Sequence, residues 1–235
     1  MKAVWRTHIG KVRGSNQDAL LVHHCAYPLY AVADGMGGHR GGDIASIMAI
    51  DGLKLYLTDK IPSVEEIKVC FGLITKAIYE RQKNNEELSG MGTTLTLLWE
   101  AHDCIYLGHV GDSRAYQLRE GTFIQQSEDH SLVGDLLRQG LLDEQAARNY
   151  PYRNVITRAI GTEDHIQCDT AVFNKQIGDR WLLCSDGLSE HLDCSQISDC
   201  MKIDDLDEAA DRLVVLALEA GGRDNITVIL SEVDR

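Results

Sequence analysis

Hydrophobic and polar residues alternate with two different periods along this chain. Residues 43–60 and 63–78 carry apolar side chains three or four positions apart, which is the spacing of an amphipathic helix. Residues 206–220 repeat this spacing, and the glycine pair at 221–222 ends the pattern. The sequence therefore predicts two consecutive helices that form one layer on a sheet, and another helix near the end of the chain.

Apolar runs of strand length occupy much of the remaining sequence. The runs with this character are 29–34, 93–99, 104–110, 114–119, 181–184 and 225–233. Short turns between residues 93 and 119 predict an antiparallel meander. Helical spacing returns at 130–150, between strands, and predicts a flap insertion over approximately residues 128–161. Helices in pairs and strands in blocks favour an α+β layered fold over alternating βα units.

Four aspartates stand where these apolar runs begin or end. Asp34, Asp112 and Asp186 each follow an apolar run, and Asp224 precedes the closing strand. Any one of them could simply belong to a turn, so position alone leaves convergence open. Two carboxylates about 4 Å apart repel by roughly 4 kcal/mol at an effective dielectric near 20, so a cluster needs a divalent cation or a proton. Oxygen ligands suit magnesium or manganese better than zinc.

Composition narrows the class of protein. The 235 residues contain only three prolines and no linker-like stretch, so we expect one domain over residues 1–235. The net charge of −13 argues against nucleic-acid binding, because the phosphate backbone would be repelled. Seven cysteines without a CxxC pair indicate reduced thiols in a cytoplasmic protein. No signal-peptide core or apolar run of membrane-spanning length is visible, so we expect no membrane association.

Several other chemistries lack their sequence signatures. The chain has no GxSxG elbow, no GxxxxGK[ST] phosphate loop and no complete GxGxxG. No cysteine is followed six residues later by arginine, and no HxExxH-type zinc spacing occurs. Metal-activated water is the chemistry that remains.

Short motifs then follow one another in a recognisable order. They are RGSNQD at 13–18, DGMGGH at 34–39, MGTT at 91–94, GDSR at 111–114, CSDG at 184–187 and GRDNI at 222–226. Together they resemble the metal-dependent protein phosphatases (PPM, type 2C), over nearly the whole chain and most closely the compact bacterial members. This resemblance implies a four-layer αββα sandwich, in which two central antiparallel sheets are flanked by helices.

The resemblance also implies a set of metal ligands. Asp34 is expected to bridge two Mn²⁺ or Mg²⁺ ions, and the Gly35 carbonyl is expected to bind one of them. Asp186 and Asp224 are expected to ligate the other ion. The implied reaction is direct attack on phosphorus by a water that bridges the two ions, without a phospho-enzyme intermediate.

Further residues take roles by the same resemblance. Asp18 is expected to hold metal-bound water, and Asp112 to share a weaker third ion with Asp186. Arg13 matches the phosphate-binding arginine, whose guanidinium can hold two phosphate oxygens. Many eukaryotic members have histidine directly after Asp-Gly as a proposed general acid, where this chain has Met36. His39 is then the candidate general acid, with a structural loop role as the alternative.

The predicted function is hydrolysis of phosphoserine and phosphothreonine in proteins, opposing a bacterial Ser/Thr kinase, by a monomer in the cytoplasm. Two other hypotheses remain at this point. One is a catalytically weak signalling module that only binds phosphoproteins, although every expected acid is present. The other is a metal-dependent hydrolase of small phosphate esters or of nucleic acid, the latter disfavoured by the acidic charge balance.

Overall fold

Two antiparallel β-sheets form the centre of the computed structural model, which describes residues 1–37 and 41–234. The strands are β1 (Lys2–His8), β2 (Asp18–His23), β3 (Leu29–Met36), β4 (Gly92–Thr93), β5 (Leu95–Glu100), β6 (Cys104–Val110), β7 (Arg114–Arg119), β8 (Thr122–Gln125), β9 (Asp169–Asn174), β10 (Arg180–Cys184) and β11 (Ile226–Glu232). The first sheet has the order β1-β11-β10-β7-β8. The second has the order β2-β3-β5-β6-β9, and β4 pairs with β3.

Helices lie on the outer faces of both sheets and in the segment between β8 and β9. They are α1 (Gly42–Leu57), α2 (Val64–Lys83), α3 (Leu132–Arg138), α4 (Glu144–Arg148), α5 (Asp186–Ser189), α6 (Cys194–Met201) and α7 (Leu206–Glu219), with a short 3-10 turn at Glu86–Leu88. Apolar residues of α1 and α2 pack on the second sheet. Those of α6 and α7 pack on the first sheet. The predicted four-layer αββα sandwich is confirmed.

Strand β3 shows how period-two alternation builds two cores at once. Leu29, Ala31 and Ala33 face the core beneath α1 and α2. Tyr30 and Val32 face the core between the two sheets. Because successive side chains of a strand point to opposite faces, an unbroken apolar run is the pattern of a strand buried on both sides. The end of such a strand is therefore held firmly in place.

The helical predictions agree closely with the structure. The helix expected at 43–60 ends at Leu57, and the one expected from 63 is capped by Ser63, whose hydroxyl accepts a hydrogen bond from the Glu66 amide at 3.1 Å. The last helix ends at Glu219 and is followed by Gly221 at φ 136°. No helix in the described part of the chain is long and apolar enough to cross a membrane.

The predicted meander is wrong at its third strand. β5 and β6 pair as expected, but β7 pairs with β10 and β8 in the other sheet. Gly111, at φ 112°, adopts a conformation that favours glycine, and the chain crosses between the sheets at this turn. The sequence analysis did not predict strands β1 and β9, which lie at sheet edges, or the short helix α6. Short elements and elements with few apolar residues give only a weak periodic pattern.

The segment between β8 and β9 contains α3 and α4. Two isolated β-bridges connect it to the sandwich and to itself, Thr93 with Ile160 and Ser131 with Ile156. Residues 128–161, which we call the flap, therefore leave and rejoin the sandwich beside β4 and the end of β6.

Candidate active site

The register of the second sheet places two of the predicted acids side by side. Asp18 opens β2 and is the direct antiparallel partner of Asp34 near the end of β3. Directly opposed residues have their Cβ atoms roughly 5 Å apart. Asp34 is fixed further through its backbone, since its amide donates to Thr94 Oγ1 at 2.8 Å and its carbonyl accepts from the Thr94 amide at 2.9 Å. The first half of the site is thus built into one sheet.

Asp186 enters from the first sheet, as the first residue of α5 directly after β10. The next residue, Gly187, lies so close to the loop before β11 that an added Cβ would be 1.9 Å from the Asn225 carbonyl oxygen. Only glycine permits this approach. The close contact brings the segment with Asp186 against the segment with Asp224.

A hydroxyl joins the two sheets at this point. Ser185 Oγ donates to Asp18 Oδ2 at 2.8 Å and accepts from the Thr227 amide at 3.0 Å. Ser185 is fully buried, so this contact between sheets is shielded from water. In the sequence, this serine stands between a buried strand and Asp186. Its partner Asp18 is 167 residues away, so the sequence did not indicate the contact.

The pKa shifts of these acids, together with the contacts above, indicate that the acids lie near one another. Burial raises the pKa of Asp34 well above the usual range, and the carboxylates of Asp18, Asp186 and Asp112 raise it further. Burial likewise raises the pKa of Asp186, with contributions from Asp112, Glu190 and Asp224. These groups lie close enough in a poorly hydrated site to oppose one another's ionisation.

The two flanking acids respond in the same direction. Burial raises the pKa of Asp112 to about 7, an effect that Asp129 strengthens and Arg114 weakens. Burial raises the pKa of Asp18 to about 6, despite the hydrogen bond from Ser185. The pKa of all four acids is therefore raised, which favours the binding of protons or cations by their carboxylates.

The residues fit divalent ions bound through oxygen. Two buried carboxylate oxygens, Asp18 Oδ1 and Asp186 Oδ1, have no hydrogen-bond partner, and such atoms are costly unless a ligand satisfies them. Within residues 1–37 and 41–234, no three His, Cys, Asp or Glu side chains are grouped closely enough to hold one metal ion by themselves. Magnesium-type ions commonly use only one or two carboxylates and keep several waters, so an open row of acids suits them better than a cage would.

Asp224 and Arg13 lie together, which the sequence did not reveal. Arg13 Nη2 donates to Asp224 Oδ2 at 2.6 Å, and Asp224 Oδ1 accepts from the Asn225 amide at 2.7 Å. The Arg13 side chain is 51% exposed. The hydrogen bond with Asp224 raises the pKa of Arg13, and the carboxylates of Asp186 and Asp34 raise it further. The guanidinium therefore faces the acidic row, the name that we give to Asp18, Asp34, Asp112 and Asp186. It has further N–H donors available.

Asn225 is a site residue that the sequence reasoning missed. Its side-chain amide donates to the carbonyls of Ile9 and Ser15 at 2.9 and 3.0 Å, and its Oδ1 accepts from the Gln17 amide at 2.8 Å. One buried side chain thus holds the loop that carries Arg13. An Asn that directly follows an acid is common in turns, so the sequence offered no specific signal.

Two predicted residues need separate mention. Gly35 packs against α1, since an added Cβ would be 2.0 Å from the Gly42 carbonyl oxygen. Close packing therefore requires glycine at this position. His39, the candidate general acid, lies outside the described residues.

Two stacked sheets with acids gathered at one edge are the arrangement that the resemblance to metal-dependent phosphatases implied. A sequence profile described as Protein phosphatase 2C matches residues 7–219. The chain therefore belongs to the protein phosphatase 2C family, and the resemblance noted from its motifs is confirmed.

Relatives and solved structures agree with this assignment. The chain is 39% identical to the serine/threonine phosphatase stp of Listeria welshimeri, over 99% of this chain and 96% of that protein. It superposes on the Mycobacterium tuberculosis serine/threonine phosphatase PstP/Ppp with a TM-score of 0.93 at 34% identity, covering 100% of this chain and 99% of that one. It also matches a PstP catalytic domain in complex with two manganese ions, with a TM-score of 0.90, 34% identity and coverage of 100% and 98%.

Proposed function

We propose that this chain is a single-domain, manganese- or magnesium-dependent protein phosphatase that hydrolyses phosphoserine and phosphothreonine. The observation that carries the proposal is the acidic row at the edge where both sheets end. Asp18 and Asp34 are direct partners in one sheet, Ser185 beside Asp186 donates to Asp18, and burial raises the pKa of Asp18, Asp34, Asp112 and Asp186. Membership of the protein phosphatase 2C family and similarity to named Ser/Thr phosphatases support it.

The acids divide into three roles. Asp34 would hold both ions, the Gly35 carbonyl would bind one of them, and Asp186 with Asp224 would bind the other. Asp18, braced by Ser185, would orient water. Asp112 would share a weaker third ion with Asp186. When bound, the ions would supply a water of lowered pKa that bridges them as the nucleophile, and they would stabilise charge on the phosphate oxygens.

Arg13 would bind the substrate phosphate. Its contact with Asp224 uses one N–H group, and the fork retains donors that can hold two oxygens. Because the loop is fixed by Asn225, the guanidinium stays beside the acidic row rather than in free solution. We assign the proton donor for the leaving alkoxide to His39, on sequence position alone.

The decisive test compares Asp34→Asn with the wild type. The measurements are manganese-dependent phosphate release from a phosphothreonine peptide and manganese binding by equilibrium dialysis. We expect phosphate release to fall by at least roughly 10³-fold and manganese binding to weaken, because the shared ligand is lost. A matched control is Asp103→Asn, which changes an exposed acid beside His102 and should alter neither. Undiminished hydrolysis by Asp34→Asn would contradict the proposal.

The cellular role follows from the substrate class. We infer that the enzyme acts in the cytoplasm as a monomer against proteins phosphorylated by a Ser/Thr kinase. Phosphoproteomics of a strain that expresses Asp186→Asn should show phosphoserine and phosphothreonine proteins enriched on the variant. If wild-type protein binds phosphopeptides tightly without releasing phosphate, the binding-module hypothesis is correct instead. If it hydrolyses only small esters, the third hypothesis is correct.

A further inference from the structure

A buried histidine lies where the flap begins. His130 is 1% exposed, and its Nδ1 accepts a hydrogen bond from the Gly111 amide at 3.1 Å. A backbone amide can only donate, so the proton of the neutral ring must sit on Nε2. Nε2 then donates to Asp169 Oδ2 at 3.1 Å. The ring therefore connects the turn before Asp112 to an acid on β9.

Asp169 also holds the other end of the flap. Its second oxygen, Oδ1, accepts from Arg158 Nη1 at 2.9 Å. Each carboxylate oxygen thus serves a different donor, one from either end of residues 128–161. We call His130, Arg158 and Asp169 the flap clasp.

Backbone contacts carry the clasp to the acidic row. The His130 amide donates to the Gly111 carbonyl at 2.7 Å, and the His130 carbonyl accepts from the Thr157 amide at 2.7 Å. At the returning end, Ile160 and Thr93 exchange backbone hydrogen bonds of 3.1 and 2.8 Å, while Thr93 Oγ1 donates to the Asp34 carbonyl at 2.8 Å. Both ends of the flap therefore adjoin residues next to proposed metal ligands.

A second buried histidine rests on the first. The ring of His109 lies 4.9 Å from that of His130, and its Nε2 donates to the Glu128 carbonyl at 3.0 Å. Arg114 adds three hydrogen bonds of 2.6 to 3.0 Å to the Asp129 carboxylate. Residues 128–130 are thus held by several partners. At the returning end, Gln82 Nε2 donates to the Gly161 carbonyl, and Arg158 is the residue that reaches Asp169.

We propose that Asp169 is a positioning residue that fixes the flap beside the acidic row, and that it thereby favours phosphoprotein substrates over small phosphate esters. This inference rests on the proposed function. A peptide that places its phosphate at the acidic row must extend past the flap, which adjoins the site at both ends. A small aryl phosphate reaches the same row without that contact. Release of the flap should therefore impair the peptide reaction selectively.

Asparagine at position 169 is the sharpest probe. It preserves size but replaces one of the two acceptor oxygens with an amide group. One of the donors, His130 Nε2–H or Arg158 Nη1–H, then faces another donor. Because His130 is buried and Arg158 is 36% exposed, we expect Arg158 to be released.

The experiment measures kcat/KM for a phosphothreonine peptide and for p-nitrophenyl phosphate at the same manganese concentration. For Asp169→Asn we expect roughly a three- to tenfold loss with the peptide and less than about twofold loss with the small ester, as suits the loss of one charged hydrogen bond. Arg158→Gln should produce the same split. The double variant should lose no more than the larger single variant, because both changes open one clasp. Asp103→Asn, which removes an exposed Asp–His pair, is the matched control.

Hydrogen–deuterium exchange provides a readout that does not depend on activity. Asp169→Asn should raise deuterium uptake in residues 150–161 while the melting temperature stays within about 3 °C of wild type. Equal losses with both substrates, or unchanged uptake in the flap, would overturn the proposal. If wild-type protein hydrolyses neither substrate, the proposed function and the specificity role fail together, while the uptake measurement still decides whether Asp169 anchors the flap.

Discussion

Acids at the two ends of the stacked sheets have pKa values that shift in opposite directions. At the end with Asp34 and Asp186, burial and neighbouring carboxylates raise the pKa of both acids. At the opposite end, Glu100 is 6% exposed and accepts hydrogen bonds from Lys175 Nζ at 2.6 Å and from the Met1 amino group at 3.0 Å. Burial alone would raise the pKa of Glu100, but these cations outweigh it and the pKa is lowered.

A second buried acid at the end with Glu100, which we call the paired end, also contacts a cation. Asp179 is 1% exposed and binds the Arg119 guanidinium through both oxygens, at 2.5 and 2.7 Å. At the acidic row, the cation Arg13 pairs with Asp224 instead of neutralising Asp34 or Asp186. Acids that have their own cations stabilise the fold, while acids left without them can bind a ligand. The difference identifies the functional end without reference to relatives.

The largest expected effect is on catalysis. Asp186→Asn should lower manganese-dependent hydrolysis of a phosphothreonine peptide by roughly 10³-fold, because a metal ligand is lost. The same change should not lower the free energy of unfolding in EDTA, since it removes one charge from a repelling group. Urea unfolding followed by circular dichroism measures the second quantity. A parallel loss of activity and stability would mean that Asp186 is structural and would remove the contrast between the ends.

The reverse outcome is expected at the paired end. Glu100→Gln should lower the free energy of unfolding by about 3 kcal/mol, because it leaves the ammonium group of Lys175 without its buried partner. Hydrolysis should remain within about twofold of wild type when both proteins are fully folded. The exposed pair Lys202–Asp199 offers a control, and Asp199→Asn should change stability by less than about 0.5 kcal/mol. Wild-type stability in Glu100→Gln would contradict the assigned role of the pair.

The two ends should also respond to pH with opposite signs. Acids whose pKa is raised in the folded state, such as Asp18 to about 6 and Asp112 to about 7, bind more protons folded than unfolded. Without divalent ions, stability should therefore fall as pH rises from 5 to 7.5, by about 2 kcal/mol after allowance for coupling. Glu100, with a lowered pKa, contributes stability that is lost only as pH falls through its folded-state pKa.

Manganese should remove this fall in stability. Ions that bind the carboxylates displace the protons, and saturating ligand adds about 2.7 kcal/mol at a hundredfold excess over its Kd. Thermal unfolding across this pH range, in EDTA and in manganese, tests the point. A stability that rises from pH 5 to 7.5 in EDTA would show that the acidic row is not under repulsion.

The smallest expected effect concerns the hydroxyl that joins the sheets. Ser185→Ala removes the donor to Asp18 Oδ2 and the acceptor for the Thr227 amide, and should cost about 1 kcal/mol of stability. Manganese affinity, measured by titration calorimetry, should weaken by roughly threefold because Asp18 loses its brace. Ser198→Ala, in helix α6 away from the acidic row, is the control and should leave manganese affinity unchanged. Unaltered affinity in Ser185→Ala would confine that residue to a packing role.

Much of this molecule follows from local sequence. The apolar run of β3 and the glycine after Asp34 identified both a doubly buried strand and the acid at its end, because burial and turn formation depend on neighbouring residues. The helices were predicted for the same reason, since helical spacing is complete within each segment. Oxygen-only acids also indicated the preference for magnesium or manganese over zinc.

Only the tertiary structure decided which groups meet. The partner of Arg13 is Asp224, 211 residues away, and the partner of Asp18 is Ser185, which directly follows β10 of the other sheet. The sequence likewise did not predict that β7 joins the other sheet or that Asp169 forms the flap clasp. Sequence specifies side-chain chemistry and local period, but sheet register and stacking select contacts among distant segments. Each acid of the site could therefore be predicted individually. The sequence could not predict which acids pair with protein cations at one end of the sheets and which lie beside one another at the other end.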